Sequence, residues 1–143
     1  MKGECNCKAI AFELTGKLPG MYQCHCTLCQ KQGGNYSNAS TIVALENFKW
    51  LHGEERITKW KKDSGFNSHF CKTCGSPVPN LLGEAHVWIP MGLIGDAQTE
   101  IVTNIFIGSK PNWSSVCDTQ HQYREAPDSF EELVDSLVRG NKR

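Results

Sequence analysis

The chain has 143 residues, with 15 basic and 15 acidic side chains and no net formal charge. That length suits one domain with a real core, and the balanced charge speaks against a nucleic-acid surface, which is ordinarily basic. No apolar run approaches the ~20 residues that cross a bilayer, and Met1-Lys2-Gly3-Glu4-Cys5 lacks the apolar stretch of a secretory signal, so a reducing, cytoplasmic setting is expected.

Turn residues recur about every ten positions, the pattern of an all-β domain. Residues 8–14 alternate, with Ile10, Phe12 and Leu14 on one face. Residues 15–20 read as a turn, and residues 21–26 lead into a cysteine cluster that Gln32-Gly33-Gly34-Asn35 closes. Residues 36–43 read as a strand and residues 45–48 as one helical turn. Residues 57–60 and 66–70 form a hairpin around residues 61–65, and 86–89 and 101–107 are further strands. Ser129-Phe130-Glu131-Glu132 has the pattern of a capping box, in which the N-cap hydroxyl and the third-turn-position carboxylate satisfy each other's backbone N–H groups. It opens a helix over about 129–139. Phe130, Leu133, Val134, Leu137 and Val138 form its apolar stripe, and Gly140 suits the stop that follows. Lys142 and Arg143 read as a frayed tail. With no repeat, low-complexity tract or linker, the expectation is one mainly β domain over 1–143 with a short C-terminal helix.

Seven of the eight cysteines fall in three clusters: Cys5-x-Cys7, Cys24-His25-Cys26-x-x-Cys29 and Cys71-x-x-Cys74-Gly75. Disulfide frameworks belong to short secreted chains with little core, whereas thiols this close together suit zinc. Cys71-x-x-Cys74-Gly75 is a knuckle, in which a sharp turn aims both sulfurs at one metal. In an extended strand the Cβ atoms of Cys5 and Cys7 would stand about 7 Å apart, so sharing a metal needs a bend. Cys5, Cys7, Cys71 and Cys74 together close a four-sulfur site of structural type. Cys24, Cys26 and Cys29 supply three ligands to a second zinc. Two completions stay open for it: an exchangeable fourth ligand, as in catalytic zinc, or a histidine or Cys117.

The clusters Gly3-x-Cys5-x-Cys7, Cys24-His25-Cys26-x-x-Cys29-Gln30-Lys31 and Phe70-Cys71-x-x-Cys74-Gly75-Ser76-Pro77 resemble, in order and interval, the glutathione-dependent formaldehyde-activating enzyme (GFA) family, which includes centromere protein V. Phe106-Ile107-Gly108-Ser109-Lys110-Pro111-Asn112-Trp113 resembles a later segment of that family, so the likeness runs over about 3–123. The resemblance implies a β-tent of antiparallel sheets pinned by zinc. It assigns Cys5, Cys7, Cys71 and Cys74 to a structural zinc and Cys24, Cys26 and Cys29 to a second, open one. It implies a carbon–sulfur lyase that handles a small thiol such as glutathione, or its aldehyde adduct S-hydroxymethylglutathione.

The proton donor such a reaction needs is not marked. His25 lies between two ligands and should point away from the metal, in a supporting or surface role. His69, His86, His121 and Asp118 are candidates by position only. Cys117 reads as a small buried side chain, or else as a fourth ligand or a redox thiol. Arg56, Lys59, Lys61, Lys62 and Lys110 could meet the carboxylates of glutathione. Trp50, Trp60, Trp88 and Trp113 read as core. The competing readings are a non-catalytic zinc module for protein interaction and a redox or repair protein that uses Cys117.

Overall fold

A computed structural model describes residues 1–141; the tail expected at Lys142 and Arg143 lies outside the described residues. The chain is mainly β. The elements, in order, are β1 (Lys2–Glu4), β2 (Ala11–Leu14), β3 (Met21–Cys24), α1 (Thr27–Gly33), β4 (Asn38–Ala44), β5 (Phe48–His52), β6 (Ile57–Lys61), β7 (Asn67–Cys71), β8 (Asn80–Leu82), β9 (His86–Pro90), β10 (Ile101–Ile105), β11 (His121–Gln122) and α2 (Phe130–Gly140). Among the described residues no helix is long and apolar enough to cross a membrane. The chain forms two compact units, one of Met1–Leu18 with Val43–Ala97, the other of Pro19–Ile42 with the chain from Gln98 onward.

In the first unit β2 runs antiparallel between β1 and β5, with Gly3 opposite Phe12 and Phe12 opposite Trp50. The expected alternation holds: Ile10, Phe12 and Leu14 are all buried. Phe12 stacks on Phe48 at 5.7 Å and meets Trp50 edge-on at 6.3 Å, and its full burial contributes about 2–3 kcal/mol. The strand is shorter than expected because Lys8 adopts a left-handed φ of 65°. Its N–H donates to the Cys5 carbonyl at 2.9 Å, which spends residues 5–8 on a turn. The hairpin forms as β6 and β7, with Ile57 opposite Cys71 and Lys61 opposite Asn67, and β8 pairs antiparallel with β9. The helical turn expected at 45–48 is a 3-10 turn over Leu45–Asn47.

In the second unit β3 pairs antiparallel with β4, setting Cys24 opposite Asn38. Here the sheet departs from an all-antiparallel pattern, because β10 runs parallel to both β3 and β11. β10 stops at Ile105, short of the expected residue 107, because Phe106 turns left-handed with φ 57°.

α2 starts where the capping pattern places it. Ser129 Oγ accepts from the Glu132 N–H at 3.1 Å, but the Glu132 carboxylate reaches past Ser129 to the Asp128 N–H at 3.1 Å and the Tyr123 hydroxyl at 3.1 Å. Gly140 is the last residue of the helix and not a stop beyond it, since Asn141 follows with an ordinary φ of −76°. Its reason is space, because a Cβ there would stand 2.7 Å from Val102 Cβ of β10. The buried line runs through Ser136, Leu137 and Gly140, while Val138 and Phe130 lie toward solvent. Ser136 is buried because its hydroxyl lies 2.9 Å from Thr103 Oγ1 of β10. Of the four tryptophans read as core, Trp60 is 51% and Trp113 69% exposed. Trp60 stands on the outer face of the β6–β7 hairpin, and Trp113 lies in the irregular stretch after β10.

Candidate metal centres

The first unit gathers Cys5, Cys7, Cys71 and Cys74, whose sulfurs all lie within 4.8 Å of one another. Cys5 and Cys7 Sγ are 3.7 Å apart, and Cys7 and Cys71 Sγ 3.8 Å. A tetrahedron with metal–sulfur bonds of about 2.3 Å has sulfur–sulfur edges of about 3.8 Å, so this donor set fits a metal ion of zinc's size. The turn at residues 5–8 supplies the bend that an extended Cys5-x-Cys7 would lack. On the other side Gly75 takes φ 78°, a region open to glycine at little cost. The Gly75 N–H donates to the Cys71 carbonyl at 2.8 Å, closing the knuckle.

The surroundings of this quartet favour the thiolate at Cys71 and Cys74. Backbone N–H groups of Cys74 and then Thr73 hold Cys71 below the ordinary thiol range. The Ser76 hydroxyl, helped by the backbone N–H groups of Ser76 and Cys7, holds Cys74 down at about 5. Ser76 Oγ accepts from the Asn6 N–H at 3.1 Å and from the Cys74 S–H at 3.4 Å; once Cys74 is a thiolate, the same hydroxyl turns its own proton to the sulfur. Against the pull of the Ala9 N–H, desolvation and then the neighbouring thiols of Cys5, Cys74 and Cys71 push Cys7 up to about 11. Cys5, Ile10, Cys71 and Val78 form a buried cluster, with Trp50 and Ile57 packed against it.

The second unit gathers Cys24, Cys26 and Cys29, again within 4.8 Å of one another. Cys24 ends β3, Cys26 is the N-cap of α1, and Cys29 sits in its first turn. Cys26 Sγ accepts from the Cys29 N–H at 3.4 Å, doing the work that Ser or Asp usually does at a helix start. The three thiols share their protons unevenly. S–H groups of Cys24 and then Cys29 donate to Cys26 and hold it well below the thiol range. The same contact with Cys26 raises Cys24, and Cys24 followed by Cys26 raises Cys29. One thiolate between two protonated sulfurs suits a soft divalent ion that displaces the remaining protons.

His25 is fully buried, which excludes the surface role, and its ring is not among the clustered ligand atoms. Its Nε2 lies 2.8 Å from Asn104 Oδ1, an acceptor only, so Nε2 carries the proton and donates it. Asn104 Nδ2 donates onward to the Cys117 carbonyl at 3.0 Å and to Thr119 Oγ1 at 3.1 Å. His25 Nδ1 is buried with no hydrogen-bond partner. The His25 ring stacks on Tyr36 at 6.3 Å, and Tyr36 meets Trp113 edge-on at 6.0 Å. Gln30 Nε2 of α1 donates to the His25 carbonyl at 2.8 Å and to the Ser109 carbonyl at 3.1 Å, tying the helix to the segment before Lys110.

Cys117 is exposed, not buried. Its S–H donates to Gln23 Oε1 at 3.4 Å, and it stands outside the trio of clustered sulfurs. His121 and Asp118 belong to the second unit, while His69 and His86 belong to the first. Of the five cations considered for carboxylate recognition, Lys110 alone shares the unit of the trio. Sequence reading missed α1, Ser76, Gln30 as a tether and Asn104. A signal for Asn104 exists: it is the polar break in the apolar run Ile101-Val102-Thr103-Asn104-Ile105.

Fold and site thus define a mainly β protein with two thiol clusters able to hold metal ions. The family model described as glutathione-dependent formaldehyde-activating enzyme matches residues 1–109, well over half of the chain, and the chain belongs to that family. The match stops short of residue 123, leaving Trp113, Cys117 and α2 outside it. A Rhodobacter sphaeroides protein, solved as a Northeast Structural Genomics target, is similar at 18% identity with a TM-score of 0.56, over 71% of this chain and 100% of that one. That likeness bears on the fold. No curated protein matches the sequence.

Proposed function

We propose that this chain is a zinc-dependent carbon–sulfur lyase-type enzyme of the cytoplasm, acting on the adduct of a small thiol with an aldehyde, such as S-hydroxymethylglutathione. The observation that supports it most is the arrangement of the second cluster. Three cysteines converge while the remaining thiol, Cys117, turns to Gln23. Cys5, Cys7, Cys71 and Cys74 would hold a structural zinc that joins the 5–8 turn to the 71–74 knuckle. Cys24, Cys26 and Cys29 would hold the other zinc, which when bound lowers the pKa of a thiol brought beside it. In the forming direction the substrate sulfur gains a bond to the aldehyde carbon, and the carbonyl oxygen takes up a proton as its π bond breaks. In the lyase direction that carbon–sulfur bond breaks, and the hydroxyl gives its proton up.

The chain's own residues keep this site in place. Asn104 fixes the tautomer of His25, and Gln30 anchors the start of α1, so Cys24 and Cys26 leave β3 in one geometry. Lys110, which shares the unit of the trio, would meet a substrate carboxylate, and Trp113 packed on Tyr36 would offer an apolar wall.

The test is metal counting joined to turnover. Two zinc ions per chain are expected, one of them removed by a mild chelator together with turnover of S-hydroxymethylglutathione, followed by NMR. With cobalt in place of zinc, glutathione should perturb the sulfur-to-cobalt absorption. Two equally inert metals that thiols leave unperturbed would favour the interaction-module reading instead. Replacement Cys117→Ser should leave metal content and turnover intact; loss of activity with both metals retained would favour the redox reading.

A further inference from the structure

The hairpin of β6 and β7 is a two-stranded sheet of its own. Residues opposite each other in its ladder share a face, and neighbours along a strand alternate. Ile57 with Cys71, and Lys59 with His69, fall on one face. Cys71 is buried and Ile57 packs against the cluster of Cys5, Ile10 and Val78, so this is the inner face. Thr58 with Phe70, and Trp60 with Ser68, fall on the outer one. The Lys62 N–H donates to the Phe66 carbonyl at 2.7 Å, which carries the alternation on and sets Lys62 and Phe66 outward too. Three aromatic residues thus share the outer face, with Phe66 and Phe70 each diagonal to Trp60 at about 7–8 Å. Trp60 is exposed, and Phe66 and Phe70 are half-buried. Among the described residues, none of the three packs against another aromatic ring.

The same stretch segregates charge. From Arg56 to Lys72 there are five cations and a single carboxylate, Asp63 in the turn, within a chain whose total is neutral. Lys62 stands at the tip of the outer face. At the base the Lys72 N–H donates to the Arg56 carbonyl at 2.9 Å, which sets these two exposed cations across from each other. Glu54 and Glu55 lie in the turn before the hairpin, and Glu54 lines a cavity with Ile57 and His69 of the inner face. Neither residues 56–62 nor residues 66–72 include a carboxylate. Among the described residues the one ion pair is Arg139 with Asp135, on α2, so the hairpin's cations are not neutralised by a bridge.

Rings spaced along a β face and flanked by cations are what a single nucleic-acid strand requires. Unpaired bases stack on the rings, and phosphates meet lysine and arginine. An acidic peptide would answer the cations and leave the three rings without a role. We propose that the outer face of the β6–β7 hairpin binds single-stranded nucleic acid, with bases on Trp60, Phe66 and Phe70 and phosphates toward Lys62 at the tip and Arg56 and Lys72 at the base. The neutral total charge does not oppose this, because attraction to phosphate is screened within about 8–10 Å and therefore reads local charge.

The test titrates octathymidylate and octauridylate, separately, into the isotopically labelled, metal-loaded protein at low salt and follows amide and indole signals by NMR. Saturable shifts are expected at the Trp60 indole and along residues 58–70; a response to one oligonucleotide alone assigns the site to DNA or to RNA. Replacement Trp60→Ala, at an exposed position that the fold tolerates, should weaken binding about tenfold. Trp60→Phe should restore most of it, since a base stacks on any aromatic face. Lys62→Gln should lower the slope of log affinity against log salt by about 0.7, the share of one phosphate on a single strand. Absence of saturable shifts, or shifts centred away from the hairpin, overturns the proposal. So does an equal response to hexaglutamate, which would make the partner an acidic peptide, and so does capture by phosphatidylserine vesicles with no response to either oligonucleotide.

Discussion

Asn104 and Ser76 illustrate what single side chains do beside the sulfurs. Asn104 is fully buried, and its amide satisfies His25 on one side and the Cys117 carbonyl and Thr119 on the other. Replacement Asn104→Ala strands the His25 N–H inside the unit, at a cost of about 3 kcal/mol for the group left unpaired and the bonds lost. Chemical denaturation of the metal-loaded protein would read this directly; a loss below about 1 kcal/mol would show that His25 has another partner. Ser76→Ala removes the hydroxyl that stabilises Cys74 as a thiolate. Partners of metal ligands commonly carry 10–100-fold in affinity, so a chelator competition should show the quartet weakened about tenfold while the trio is unchanged. The sulfurs themselves were legible in the sequence because cysteine spacing is local. Ser76 and Asn104 were not, because Ser76 answers Asn6 from 70 residues away and Asn104 answers His25 from 79.

Among the elements, those with strong periodicity were legible. β2 alternates, the β6–β7 hairpin brackets a polar turn, and α2 carries its cap. The missed pieces lack such signals. β1, β8 and β11 span two or three residues. α1 has seven residues, none of them buried, and a cysteine as its cap, so neither propensity nor an apolar stripe marks it. The end of α2 was misread for another reason, since Gly140 answers a neighbour and not the backbone. Replacement Gly140→Ala gains about 1 kcal/mol of helix propensity, but its Cβ would press on Val102, and overpacking of this kind costs about 1–3 kcal/mol. The net expectation is a loss of about 1 kcal/mol. Removing the clashing atom should rescue it: in a double-mutant cycle with Val102→Gly, which takes away the Cβ itself as well as both methyls, the pair should couple favourably by more than about 0.5 kcal/mol. Additive effects would show that β10 does not limit the helix.

For the whole molecule, the two thiol clusters face the same competitor, the proton. Cysteine binds a metal as the thiolate, so affinity falls as acid returns the protons. A raised pKa means that a thiol recovers its proton at higher pH and releases the metal sooner; a lowered pKa delays this. In the trio, Cys24 and Cys29 are raised and only Cys26 is lowered. In the quartet, Cys71 and Cys74 are lowered, and Cys7 alone is raised. The quartet also brings four sulfurs to the trio's three. As pH is stepped from about 8 to about 5, the metal should therefore leave in two stages, the trio first. Metal content after each dialysis step checks the order. Replacement Cys26→Ala should abolish the first stage and leave the second, while circular dichroism stays native until the quartet empties. Loss of the quartet's metal first would mean that the lowered Cys71 and Cys74 do not govern proton competition there, and that the division into a fold-holding and an exchangeable metal is drawn the wrong way round.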